Sequence, residues 1–145
     1  MTDPAVFDEL EGIYRDTSEE IARLGPVCEL SGLCCRFDEY GHDLFATELE
    51  VDWVLAGWGE EPVPEFDRLC PFYVDGRCVH RSHRPLGCRI FFCDPSYRDA
   101  MPEVHERFFR RIRNLHERHG IPYRYGPFLK LLRQRIDEAS RADGR

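Results

Sequence analysis

Seven cysteines are the feature that most limits how this 145-residue chain can fold. They lie at positions 28, 34, 35, 70, 78, 88 and 93, so Cys34 and Cys35 are adjacent. An odd number cannot form a closed set of disulfides, and a chain of this length buries a core without needing them for stability. The cysteines therefore predict metal binding or redox chemistry, and the fold has to bring at least some of them together.

The spacing of the cysteines bears on which metal is expected. Thiolate is a soft ligand that favours zinc, copper(I) and iron–sulfur clusters. The spacings are C-x5-C-C, C-x7-C and C-x9-C-x4-C, and none is the C-x2-C pair of structural zinc ribbons. Cluster sites accept more varied spacing, which favours an iron–sulfur cluster over zinc. Buried cysteines that bind nothing are the alternative, and the adjacent pair fits it least well.

The sequence also predicts a compartment. The segment MTDPAVFDELEG lacks the basic and apolar regions of a signal peptide, and no apolar run approaches the roughly 18 residues of a membrane span. We therefore expect a cytoplasmic protein with no membrane partner. Thiols stay reduced in the cytoplasm, which places metal ligation or redox chemistry ahead of disulfides.

Charge is distributed unevenly along the chain, whose net charge is -7. Residues 1–66 hold 17 acidic and 3 basic side chains, whereas residues 67–145 hold 10 and 17. This pattern predicts that the acidic first half packs on the basic second half within one domain, residues 1–145. The overall acidity argues against a nucleic-acid partner, and the apolar residues between the arginines of 107–118 have helical spacing.

Helix signals bound four segments. The first segment predicts an amphipathic helix that begins at Thr2 or Asp3 and ends at Gly25. In ATELEVDWVLAGWG, Thr47 and Glu50 form a capping box for a short helix that ends at Gly57. Two more helices are expected within residues 101–141, the first from Pro102 to His119 and the second in PFLKLLRQRIDEASRA.

The segment CPFYVDGRCVH predicts a β-hairpin around Asp75-Gly76, which would bring Cys70 and Cys78 close together. The fold expected from all these signals is α+β: a small, mainly helical domain with a short β-hairpin and cysteine-bearing loops around a metal centre. We expect Cys70, Cys78 and Cys88 to converge on that centre with Cys34 or Cys35.

The cysteines and their neighbours resemble a known family. CELSGLCCR followed by CPFYVDGRCVHRSHRPLGCR is similar to the YkgJ-like zinc- or iron-chelating proteins, whose pattern is CxxCxxCC with CPF, GRC and RPxxCR elements downstream. The resemblance covers roughly residues 28–93 and has Ser31 where the family has its second cysteine. It implies that the metal ligands are Cys28, Cys34, Cys35, Cys70, Cys78 and Cys88. Cys93 lies outside the pattern and is a candidate to complete the set.

Other residues beside the cysteines are candidates for the site. Arg36, Arg84 and Arg89 are placed to offset the negative charge of a thiolate centre and to donate hydrogen bonds to sulfur, with surface ion pairing as the alternative. His80 and His83 follow Cys78 and are candidate nitrogen ligands.

These residues together predict a cytoplasmic cysteine-cluster metalloprotein that binds an iron–sulfur cluster or zinc and serves redox chemistry or cluster handling. Its expected partners are the metal ion or cluster and a second protein. The alternative is a metal-dependent enzyme that modifies a protein substrate, because the resemblance extends to a domain of bacterial flagellin lysine methylases. An open coordination position would favour the enzyme.

Overall fold

A computed structural model of the chain describes residues 3–26, 44–60, 62–66, 70–74, 77–78, 80–90, 96–97 and 99–142. They form a mainly helical α+β structure, as predicted. Its elements, in chain order, are α1 (Pro4–Leu24), β1 (Phe45–Thr47), α2 (Glu48–Trp58), β2 (Tyr73–Val74), β3 (Arg77–Cys78), a 3₁₀ helix (Arg81–His83), α3 (Leu86–Ile90), α4 (Met101–His119), β4 (Tyr125–Pro127) and α5 (Phe128–Ala142). In this described part, every helix is too short or too polar to cross a bilayer.

Helix α1 has both of its predicted ends. The side chain of Asp3 accepts a hydrogen bond from the backbone N–H of Ala5 at 2.9 Å, which satisfies one of the unpaired donors at a helix start. Gly25 ends the helix with a φ of 67°, a left-handed conformation in which glycine has no steric cost, and its N–H donates to Ile21 O.

Helix α2 begins as predicted and ends later. The Thr47 hydroxyl accepts from the Glu50 N–H while the Glu50 carboxylate accepts from the Thr47 N–H, so the capping box is present. The helix continues to Trp58 and is closed by Gly59, whose φ is 93°. Gly57 therefore lies inside the helix, and the predicted end at that residue was wrong.

The described residues form two pairs of short strands, of which the sequence predicted one. Strands β2 and β3 are antiparallel with Tyr73 opposite Cys78, which confirms the hairpin; its turn, residues 75–76, lies outside the described residues. Strand β1 pairs with β4, with Thr47 opposite Tyr125. This second pair joins segments roughly 80 residues apart in the sequence, and no local signal predicted it.

The two C-terminal helices confirm the sequence prediction closely. Helix α4 begins one residue before Pro102 and is capped by Gly120 with a φ of 62°. The core lies where these helices meet α1 and α2, and its most deeply buried apolar residues include Leu10, Val51, Leu86, Phe108, Ile112, Leu115, Phe128 and Leu132.

Ion pairs join the acidic face of α1 to the basic face of α4. Arg111 Nη1 lies 2.8 Å from Asp16 Oδ2, and Arg118 Nη1 lies 3.0 Å from Glu9 Oε2. The uneven charge of the sequence is thus matched inside the fold, as predicted, at least between these two helices.

Candidate metal centre

The structure describes three of the seven cysteines, and all three lie within residues 70–90, which hold the hairpin and α3. Cys70 and Cys88 are buried thiols, with exposed fractions of 6% and 8%. The backbone of Cys78 pairs with Tyr73 across the hairpin. The remaining candidates, which are Cys28, Cys34, Cys35, Cys93 and Arg36, lie outside the described residues.

Buried Glu50 fixes the short helix that carries Cys88. Its carboxylate is 1% exposed, and Oε2 accepts hydrogen bonds from the Tyr14 hydroxyl and from the backbone N–H of Leu86, each at 2.7 Å. Leu86 is the first residue of α3, so the carboxylate caps that helix from a distance in sequence. Through this one side chain α3 is attached to both α1 and α2.

Arg89, near the end of α3, ties this helix back to the residues that precede it. Its Nε donates to Arg84 O at 2.7 Å and its Nη2 donates to Ser82 O at 2.8 Å, which ties α3 to the 3₁₀ helix. The guanidinium also lies over the Tyr14 ring, 4.4 Å from the centroid, and 5.5 Å from that of Trp53. These contacts give Arg89 a structural role beside Cys88.

Arg84, together with Glu50 and Arg89, forms a set of hydrogen bonds around α3 that we call the polar frame. Its Nη1 donates to the carbonyl oxygen of Cys88 at 3.3 Å, so both predicted arginines in the described chain contact the backbone around that cysteine. Their predicted hydrogen bonds to metal-bound sulfur remain a prediction.

The electrostatics of this cluster follow from burial. Burial raises the pKa of Tyr14 well above its usual value, and the neighbouring Glu50 charge and the Cys88 thiol act in the same direction. Burial also lowers the pKa of Arg89, while Tyr14, Cys88 and Glu50 oppose that change. The four groups thus belong to one buried polar cluster, in which Tyr14 is a neutral hydrogen-bond donor at neutral pH.

A stack of rings flanks the hairpin. His83 is stacked on Trp53 with ring centroids 4.4 Å apart, and His80 is stacked on His83 at 5.2 Å with an interplanar angle of 9°. Gly57 makes this stack possible, because a Cβ at that position would overlap the His83 ring. Burial lowers the pKa of His83, as does the adjacent His80, so a neutral ring is favoured there.

The described residues form the packing and hydrogen bonds around Cys70 and Cys88, but they do not form a complete metal site. Among them, no three Cys, His, Asp or Glu side chains are arranged to hold a metal ion. The predicted convergence of Cys70, Cys78 and Cys88 stays a prediction, since the Cys78 side chain lies outside the description. Comparison of the chain with protein-family models, curated proteins and solved structures finds no match.

Sequence reasoning missed the wider role of Glu50. The capping box predicted its bond to Thr47, and the apolar residues around it in ELEVDWVL were a signal of burial that could have been used. Its bonds to Tyr14 and Leu86 join residues 36 positions away in each direction, for which no local pattern exists.

Proposed function

We propose that the chain is a metalloprotein whose cysteines bind an iron–sulfur cluster, or alternatively zinc, in a reducing compartment such as the cytoplasm. The observation that carries this is the hairpin register, which returns Cys78 to a position opposite Tyr73, three residues after Cys70. Two cysteines eight positions apart in sequence are thereby brought to the arms of one turn, as a shared centre requires.

The available ligands are thiols, which suit an iron–sulfur cluster or zinc. Cys70 and Cys88 are buried thiols. A chain of this length buries a sufficient core without cysteines, so stability alone does not explain them. Together with Cys78 they would supply three thiolates, and the fourth would come from Cys28, Cys34, Cys35 or Cys93. The resemblance to the YkgJ-like chelating proteins supports the same assignment.

The polar frame around α3 has a purpose in this proposal. Glu50 accepts from the first N–H of α3, and Arg89 ties the helix to Arg84 and Ser82, so the position of Cys88 is set by protein contacts. A bound group would supply a cross-link between the hairpin and α3 and, for an iron–sulfur cluster, a one-electron carrier. The chain's own part is to fix Cys88 and to keep water from its thiol.

The direct test is anaerobic purification followed by an absorption spectrum and elemental analysis. We expect iron with sulfide and visible charge-transfer bands, or stoichiometric zinc without them. Cys78→Ser should lose the metal, whereas Ser18→Cys, which adds a thiol on the exposed face of α1, should leave the metal content unchanged. A chain that takes up neither iron with sulfide nor zinc, as purified or after reconstitution, would overturn the proposal.

Metal removal gives a second test that locates the centre. Ligand binding stabilises what it cross-links, so the metal-free chain should exchange amide hydrogens faster in residues 70–90 while α1 and α4 change little. Mass spectrometry of exchanged peptides from both forms measures this. Equal protection of residues 70–90 in the two forms would show that the metal binds elsewhere.

A further inference from the structure

His80 has the geometry of a metal-binding histidine. Its ring is buried, with 7% exposed, and Nε2 lies 2.9 Å from the carbonyl oxygen of Val54. A carbonyl oxygen only accepts hydrogen bonds, so Nε2 carries the proton and the lone pair of the neutral ring is on Nδ1. Metal-binding histidines are oriented in this way, with the second ring N–H donated to a carbonyl or carboxylate.

The ring is also held rigidly. Its centroid lies 4.9 Å from that of Phe72, 5.3 Å from that of Trp58 and 5.2 Å from that of His83. Three neighbouring rings and one hydrogen bond therefore fix the direction of Nδ1.

The position of His80 connects it to the cysteines. It follows Cys78, the last residue of β3, by two positions in the sequence. Its ring contacts Phe72, which follows Cys70 by two residues on the other arm of the hairpin. His80 thus lies at the base of the hairpin, where the segments that bear Cys70 and Cys78 meet.

We propose that His80 binds the metal through Nδ1, together with thiolates from the hairpin. This rests on the metalloprotein function proposed above and makes the centre a mixed site of imidazole and thiolates. Zinc accepts one histidine in place of a cysteine, and some iron–sulfur clusters accept histidine ligands. The mixed site also explains why Ser31, where the resembling family has cysteine, does not leave the centre a ligand short.

The test uses the reduced, zinc-loaded chain and X-ray absorption at the zinc edge. We expect a nitrogen shell at about 2.0–2.1 Å beside sulfur at about 2.3 Å. His80→Gln keeps an N–H for Val54 O, so it should fold with an unchanged helical circular dichroism signal. It should lose the nitrogen shell and bind zinc about 10- to 100-fold more weakly. His119→Gln, a histidine on α4 that pairs with Glu9, is the matched control and should keep both.

The outcomes separate the two proposals. A wild-type chain that binds neither zinc nor iron overturns the metalloprotein function itself. Zinc bound with a sulfur shell alone, or His80→Gln with the same affinity and shells as the wild type, overturns only the role of His80. If His80→Gln does not fold, the wild-type chain loaded with ¹¹³Cd and labelled with ¹⁵N-histidine decides: a scalar coupling between cadmium and His80 Nδ1 is expected, and its absence overturns the inference.

Discussion

The pair of helices α1 and α4 and the cysteine segment, the described residues between Cys70 and Ile90, are stabilised in different ways. The helix pair buries a long apolar stripe, and its ion pairs lie at the exposed rim. The cysteine segment contains a helix of only five residues, which cannot be stable alone. It adds Leu86 and Ile90 to the core, and a few polar contacts fix its position.

The difference teaches where single substitutions should matter. Apolar burial is spread over many side chains, so an exposed charge on α1 can be lost at little cost. A buried carboxylate that serves two distant segments has no substitute, because each donor left without an acceptor costs about 1–3 kcal/mol. We therefore expect sensitivity to be concentrated around Glu50.

Replacement of Glu50 should have the largest effect. Glu50→Ala leaves the Tyr14 hydroxyl and the Leu86 N–H buried without an acceptor, so the free energy of unfolding should fall by about 3–5 kcal/mol. Urea denaturation followed by circular dichroism measures this. Glu19→Ala, on the exposed face of α1, is the control and should change it by under about 0.5 kcal/mol. Similar small losses in both variants would remove the contrast between the regions.

Two glycine substitutions should have opposite signs. Alanine is favoured over glycine inside a helix by about 1 kcal/mol, and nothing lies within 4 Å of a Cβ at Gly12, so Gly12→Ala should stabilise α1. At Gly57 the added methyl overlaps the His83 ring, so Gly57→Ala should destabilise the fold by about 1–3 kcal/mol. Thermal unfolding of the two variants measures the difference, and stabilisation by both would contradict the packing of His83 on α2.

Tyr14→Phe should cost about 1 kcal/mol at neutral pH, because one hydrogen bond to Glu50 is lost. The effect should depend on pH. Burial raises the pKa of Tyr14 in the folded chain, so above about pH 10 the unfolded chain loses this proton first, and the contribution of Tyr14 to stability declines. Unfolding free energies from pH 7 to 11 should therefore converge for the two proteins, whereas parallel curves would contradict the buried neutral phenol.

The ion pairs of the helix pair should give the smallest effect. Asp16→Asn removes the partner of Arg111 at an exposed position and should lower the free energy of unfolding by less than about 1 kcal/mol. The loss should shrink further at 1 M salt, where charges are screened within about 3 Å. A loss of more than about 1 kcal/mol that does not depend on salt would mean that the helix pair, too, relies on specific polar contacts.

The same contrast separates what the sequence could predict from what it could not. The ends of α1 follow from Asp3, Pro4 and Gly25, and the β2–β3 hairpin follows from Asp75-Gly76, because each signal acts within a few residues. The pairing of β1 with β4 depends on partners far apart in sequence, and three-residue strands carry no usable alternation.

For the candidate site, the sequence identified the cysteines and the neighbouring arginines but not how α3 is held. That Arg89 offsets thiolate charge stays a prediction. The sequence did not predict that its Nε and Nη2 donate to carbonyl oxygens or that its plane lies over Tyr14, 75 residues earlier in the chain. Such contacts depend on tertiary packing, which local patterns do not encode.

The β1–β4 pair also sets an order of events during synthesis. Its strands are separated by roughly 80 residues, which at about 5–20 residues per second emerge from a ribosome roughly 4–16 s apart. The β2–β3 hairpin closes over a few residues and forms in microseconds once both arms have emerged. Cys70, Cys78 and Cys88 have therefore all been synthesised before β1 finds its partner, and a metal delivered to the nascent chain meets these thiols while the fold is still open.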